Sequence, residues 1–321
     1  LFSSKGKVYS IKGYEIPEAN RTARGRAIVN IVQLDQGEKI ETVLPVSESG
    51  EGYLVMATEK GLIKKTATSE FARIAKNGKI AIKLQENDRL IGVRFTTGED
   101  EILVASRDGK CIRFSEKDVR PTGRGTQGVK AITLSKEDIV VDMLIIDPAK
   151  DLFTLTSLGY GKRSSIDDYR LQNRGGKGVK CYKITEKTGD VVGVKAVTDE
   201  NEIMMITTEG IIIQIRVNEI SVLKRITSGV KLINLDEGVN VAHYDMVFLK
   251  SVVDSVSTLK TILEKKPIGH SLISSKLYIH LDELPVQHHY IYLINYKNYD
   301  EVVLFCQIPF LNDKMELLEI M

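Results

Sequence analysis

Short apolar runs alternate with polar, glycine-bearing stretches through the first three quarters of the chain. The runs at 53–57, 102–105, 152–155 and 203–206 each lead to a glycine, and a second run carrying cations follows, as at 62–65 and 110–113. An acidic-apolar pair comes next: Glu70-Phe71, Asp118-Val119, Asp168-Tyr169 and Glu219-Ile220. A second glycine then precedes an alternating run, as at 80–84, 129–132 and 230–233. A last run at 90–93, 139–141 and 191–194 closes the unit. Runs this short, bounded by turn residues, predict strands, four to a unit.

The two glycines keep phase. The second ones, Gly25, Gly78, Gly128, Gly178 and Gly229, are 53, 50, 50 and 51 residues apart. Taking Gly6, Gly61, Gly109, Gly161 and Gly210 as the first ones gives gaps of 19, 17, 19, 17 and 19. Four-stranded units repeating at this period predict an all-β ring of blades, because one blade cannot bury both sheet faces alone. The absence of Trp excludes WD repeats and argues against kelch repeats.

The loop before each second glycine is basic. Its fullest version is Gln172-Asn173-Arg174-Gly175-Gly176-Lys177-Gly178, followed by Val179 and Lys180. Glycines permit φ > 0 and close backbone approach, and the cations suit phosphate oxygens. The first unit carries Arg21, Arg24 and Arg26, the second Lys76 and Lys79, and the third Arg120, Arg124 and Lys130. The fourth adds Arg170, with Lys162 and Arg163 on its hairpin, and the fifth has Lys224, Arg225 and Lys231. Lys64 and Lys65 stand on the second unit's hairpin. Equivalent loops of a ring occupy equivalent places on its perimeter, so these cations predict a basic belt. Gly123-Arg124-Gly125-Thr126-Gln127-Gly128 spells a dinucleotide fingerprint, but an alternating strand follows it where that motif needs a helix.

Several segments together carry a resemblance. They are Phe2-Ser3-Ser4-Lys5-Gly6-Lys7-Val8-Tyr9-Ser10, Ile16-Pro17-Glu18-Ala19, Arg24-Gly25-Arg26 before Ile28-Val29-Asn30, and Ser157-Leu158-Gly159-Tyr160-Gly161-Lys162-Arg163. Residues 1 to about 247 resemble the C-terminal domain of the A subunit of bacterial DNA gyrase, and the loop 172–178 is similar to that family's gyrase box. The resemblance implies a six-bladed β-pinwheel that wraps duplex DNA on its rim, with five full repeats visible here. It implies the N-terminal part of gyrase A and gyrase B as partners in an A2B2 holoenzyme, and a cytoplasmic location. The family's principal box lies upstream of the segment where this chain begins, so the loop at Gln172 resembles a later copy. The topoisomerase IV C-terminal domain, which binds DNA but lacks a good box, and a blade-ring scaffold for an acidic protein remain alternatives.

Catalytic motifs are missing from the sequence: there is no phosphate-binding G-x-x-x-x-G-K-[ST] loop, nucleophile elbow or H-E-x-x-H helix. The resemblance places the DNA-cleaving tyrosine and the ATP site, with its Mg, in other parts of the holoenzyme. The chain is therefore expected to bind and bend DNA without transforming it, with no cofactor of its own.

Composition changes little in this picture. The net charge is only +2, from 39 Lys+Arg against 34 Asp+Glu in residues 1–250 and 6 against 9 in 251–321. Placement of the cations, rather than their sum, carries the argument. Cys111, Cys181 and Cys306 form no metal spacing and suit a reducing compartment. No apolar run approaches the ~18 residues of a membrane span. Aligning Gly6 with Gly109 sets Leu1 opposite Val104, so the ring is expected to open in mid-strand, truncated on its N-terminal side.

The repeat stops at about residue 247, and residues 248–321 read as an atypical extension. Val252, Val256, Leu259 and Leu263 have helical spacing, and 291–294 and 302–305 read as strands. His270, His280, His288 and His289 lie here, without the spacing of a zinc site.

Overall fold

The computed structural model describes residues 1–16, 27–45, 51–74, 77–247, 293–296 and 299–303. The chain divides into two units, one of residues 1–18 and 24–247 and one of residues 19–23 and 248–321. In the second, Leu293–Tyr296 and Tyr299–Val303 pair as an antiparallel hairpin, overlapping the two strands predicted there. The helical spacing at 252–263 and the four histidines of the extension lie outside the described residues.

The first unit is all-β, with five antiparallel blades in a propeller-like ring. Blade I is built on Phe2–Ser3, Lys7–Val8 and Ile40–Thr42, and blade II on Tyr53–Thr58, Leu62–Ala67 and Leu90–Thr96. Blade III uses Glu101–Ser106, Lys110–Ser115 and Val140–Ile145. Blade IV uses Asp151–Thr156, Tyr160–Ser165 and Val191–Val197, and blade V uses Glu202–Thr207, Ile212–Arg216 and Val241–Val247. The last strand of each set lies innermost, against its counterpart in the next blade. Helical turns among the described residues of this unit are all short 3-10 turns.

The fourth strand of a blade comes from the following repeat. Lys79–Ile80 pairs with Lys7–Val8, Val129–Lys130 with Leu62–Ile63, Val179–Lys180 with Lys110–Cys111, and Val230–Lys231 with Tyr160–Gly161. The alternating runs predicted after each second glycine therefore shrink to two-residue strands, and each serves its neighbour's sheet. Blade V has three strands, with no donated strand on Ile212–Arg216 among the described residues. In the first repeat, Ile28–Asn30 form a 3-10 turn instead of a donated strand.

Apolar residues on both faces of blades II, III and IV, and on one face of blades I and V, meet those of the adjacent blades. Leu54, Met56 and Leu90 join Phe2 and Val8 between blades I and II, and Val55, Ile63, Val104 and Ile112 fill the space between II and III. Leu103, Leu152, Tyr182 and Val191 pack between III and IV, and Phe153, Ile203, Met205 and Val241 between IV and V. Each such side chain contributes about 1.5–3 kcal/mol by leaving water. The acidic-apolar pairs sit at the 3-10 turns Thr68–Phe71, Glu116–Asp118, Ile166–Asp168 and Val217–Glu219. Their apolar members, Phe71, Val119, Tyr169 and Ile220, are buried.

One register assignment changes. The hairpin glycine of the fourth repeat is Gly159, at φ +77°, matching Gly6, Gly61, Gly109 and Gly210 at φ of +72°, +80°, +72° and +82°. Gly161 lies within the following strand, opposite Leu155 and Val230. The gaps become 19, 17, 19, 19 and 19, from positions 6–25, 61–78, 109–128, 159–178 and 210–229.

Candidate nucleic-acid interface

Strand donation decides where the basic loops sit. The loops of the third, fourth and fifth repeats lie on the outer edges of the preceding blades, not on their own. Residues 119–128 run along blade II, where the Thr122 N–H donates to the Lys65 carbonyl at 2.9 Å. Residues 169–178 run along blade III, with the Gln172 N–H on the Arg113 carbonyl at 2.8 Å. Residues 220–229 run along blade IV, with the Leu223 N–H on the Arg163 carbonyl at 2.8 Å. Glycine ends each loop because the backbones touch: a Cβ at Gly128 would lie 2.7 Å from the Ile63 carbonyl oxygen, and one at Gly229 would lie 2.6 Å from that of Gly161.

The preceding repeat stitches each loop down again. The N–H groups of Lys83, Thr133 and Lys183 donate to the carbonyls of Thr126, Gly176 and Thr227 at 3.0, 2.8 and 3.0 Å. The box-like loop gains two more bonds, from the Gly175 N–H to Ala131 O at 2.7 Å and from Thr133 Oγ1 to Gly175 O at 2.7 Å. Arg174 bends back to donate to the carbonyls of Asp118, at 3.2 Å, and Lys130. Arg225 does the same to Lys180, while Arg124 turns to Glu70 at 3.7 Å. These three arginines stand four residues before their loop glycines and are half-buried. They brace the loop as well as charging it.

Four predicted DNA contacts are corrected by burial. Lys64, Lys65, Lys162 and Arg163 are 1%, 4%, 0% and 7% exposed, so their charged ends are withheld from a bound phosphate. Lys64 Nζ donates to Ala81 O at 2.6 Å and to Arg124 O, and Lys162 Nζ donates to Lys224 O at 2.9 Å and to Arg225 O. Lys65 reaches the Glu116 carbonyl at 2.9 Å and its carboxylate at 3.5 Å. Arg163 reaches Ile220 O at 2.9 Å, Asp151 at 3.6 Å and Asp199. All four bind the following repeat and so tie blades together. Burial lowers the Lys64 and Lys162 ammonium pKa values to about 8.

The other predicted cations among the described residues face solvent. Lys79, Arg120, Lys130, Arg170, Lys177, Lys180, Lys224 and Lys231 are exposed, all on or beside the loops and donated strands. Arg174 donates to the Lys130 carbonyl, and the Lys130 side chain passes within 4.0 Å of where a Cβ at Gly175 would stand; Arg225 donates likewise to the Lys180 carbonyl. Exposed cations of repeats two to five thus recur on the loops and donated strands of the outer edges. Lys83 and Lys183, five residues after Gly78 and Gly178, are exposed beside the loops whose Thr126 and Thr227 carbonyls accept from their N–H groups. Sequence reasoning missed them, although both stand at the same distance from a loop glycine, where the third and fifth repeats carry Thr133 and Asn234. Arg21, Arg24, Arg26 and Lys76 lie outside the described residues. The described residues hold no cluster of metal-ligating side chains, and no helix among them is long and apolar enough to cross a membrane.

A family model described as DNA gyrase C-terminal domain, beta-propeller, matches residues 1–47, 52–97, 100–147, 150–198 and 201–243, one segment per repeat. The chain is 45% identical over 242 residues to the DNA gyrase A subunit of Staphylococcus epidermidis, covering 74% of this chain and 27% of that protein. It is 45% identical over 241 residues to the DNA gyrase A subunit of Staphylococcus aureus, with the same coverage. It spans about a quarter of the length of these curated relatives. Among solved structures, a DNA gyrase A C-terminal domain superposes with a TM-score of 0.67 at 26% identity, over 77% of this chain and 81% of that one. The C-terminal domain of DNA topoisomerase IV superposes with a TM-score of 0.74 at 23% identity, over 82% of each chain, a likeness of fold.

Proposed function

Because this chain belongs to the DNA gyrase C-terminal domain family, we propose that its first 247 residues bind duplex DNA and wrap it along the outer edges of the blades. The carrying observation is the recurrence of exposed Lys130, Lys180 and Lys231, each two residues past its loop glycine, on the strands donated to blades II, III and IV. Glycine loops braced from behind leave their outer face to phosphate oxygens, which set position on DNA without reading sequence. In this reading the chain performs no chemistry. It delivers a wrapped segment of fixed handedness to a cleavage core formed by the N-terminal part of gyrase A with gyrase B in an A2B2 assembly in the cytoplasm. ATP and Mg act there, and strand passage through that core introduces negative supercoils.

Bending 20–30 bp by 40–90° costs about 1–6 kcal/mol, so wrapping needs many phosphate contacts at once. Each neutralised phosphate adds about −0.9 to the slope of log K against log salt, and a slope of about −5 or steeper is expected. The decisive experiment incubates the chain with nicked plasmid, ligates it and measures linking number. A shift proportional to bound protein, with affinity that grows with duplex length, is expected. Binding to short and long duplexes alike, with no linking-number change, would reduce the function to simple DNA binding. No binding to duplex would favour a scaffold for an acidic protein.

A further inference from the structure

Lys64 and Lys162 present an unusual arrangement: fully buried ammonium groups with no carboxylate at ion-pair distance among the described residues. Three residues past its hairpin glycine, each points under the basic loop that crosses its blade. Lys162 draws the carbonyls of Lys224 and Arg225 inward, and Lys64 draws that of Arg124. No described peptide is cis, and in a planar trans peptide the carbonyl and the next N–H point in opposite directions. The N–H groups of Arg225 and Ile226, and that of Gly125, therefore point away from the ammonium, outward. None of the three donates to a backbone carbonyl of the described residues. Successive outward N–H groups in a turn form an anion-binding concavity.

We infer that Lys64 and Lys162 are positioning residues for the DNA backbone. Each ammonium holds its loop with carbonyls inward and N–H groups outward, so that the loop receives a phosphodiester oxygen. The positive charge behind the loop adds to the attraction. The inference rests on the DNA-binding reading above. The repeats supply an internal contrast, since blade III carries the buried Ile112 at this place. Its loop is held instead by the main chain and hydroxyl of Thr133. Two of the three described loops thus depend on a lysine, and the box-like one does not.

A consequence in pH follows. Lys162 is faced by Asp168 and Arg225, by the thiols of Cys111 and Cys181, and by the Tyr182 ring at 5.3 Å; Lys64 is faced by Glu70 and Arg124. Burial brings both ammonium pKa values to about 8, so the groups are charged below that pH and neutral above it. The neutral amine holds two carbonyls less firmly and supplies no field.

The test measures affinity of the 321-residue chain for a long linear duplex at constant salt from pH 7 to 9.5. Wild type should weaken by about tenfold across that range, the worth of one charge-assisted contact. The double variant Lys64→Ile/Lys162→Ile, which copies the residue of blade III, should bind about tenfold more weakly at pH 7 and show a flat profile. A flat wild-type profile overturns the inference, even if the double variant fails to fold. A double variant that keeps the wild-type slope overturns it as well. No binding at any pH removes the DNA reading and this inference with it.

Discussion

Blades IV and V share a strand plan and differ in how their outer edges are finished. Val230–Lys231 and the loop 220–229 lie on blade IV, and Arg163 reaches out to Ile220 of the repeat that supplies them. Blade V carries no such strand among the described residues. Gln214, in phase with Arg163, turns to Glu202 of its own sheet. Ile212, in phase with the fully buried Ile63 and Cys111, is 45% exposed. The difference shows that a blade's own residues shape its inner three strands, whereas the next repeat completes its edge. The structural cover and the candidate DNA contact are one and the same segment.

The largest expected effect tests the ties between repeats. Lys65→Met leaves the fully buried Glu116 carboxylate without its cation and should destabilise by about 3–5 kcal/mol in urea unfolding. Arg216→Met, which breaks a mostly exposed ion pair to Glu202 within blade V, should cost less than about 1 kcal/mol. Equal losses would erase the distinction between covered and uncovered edges. Next comes the core beneath the cover. Ile63→Ala should cost about 2–4 kcal/mol, and Ile212→Ala less than about 1 kcal/mol because water already reaches it. A full-sized loss at Ile212 would mean that something covers blade V in solution.

Smaller effects sharpen the role of the loop glycines. Gly178→Ala must hold φ +68° against the backbone of Cys111 and should cost about 1–3 kcal/mol. It should also speed labelling of the buried Cys111 and Cys181 by a thiol reagent. Gly210→Ala, at φ +82° with open space around it, bears the conformational strain alone and should cost about 1 kcal/mol. The smallest change is electrostatic. Lys177→Ala should leave the unfolding midpoint unmoved and make the salt slope of DNA binding shallower by about 0.9. An unchanged slope would remove Lys177 from the DNA path.

The blade plan was legible because it rests on short-range regularities: glycines in left-handed turns and apolar residues alternating within each run. The donation of strands was not. A run such as Val129-Lys130 has the same pattern whether it closes its own sheet or its neighbour's, since pairing partners leave no local trace. Gly159 and Gly161 offered two candidates for one turn, and only the backbone angle separated them. The candidate site was half legible. Lys130, Lys177 and Lys180 face solvent as their charge suggests. Lys64 and Lys162 are indistinguishable from them in sequence and lie in the interior. Their burial follows from carbonyls of a loop some 60 residues away, at Arg124 and Lys224.

Strand donation also bears on how such a chain changes length. Each of repeats two to five brings one edge strand that can take a cover and one short strand that covers its predecessor. Duplicating or deleting a whole repeat therefore adds or removes an acceptor together with a donor, and the tally of open edges stays constant. A partial duplication would upset it and leave a bare strand prone to pairing with other chains. Gene-level variation is thus channelled into steps of one whole period, and each added step lengthens the row of cations by one loop.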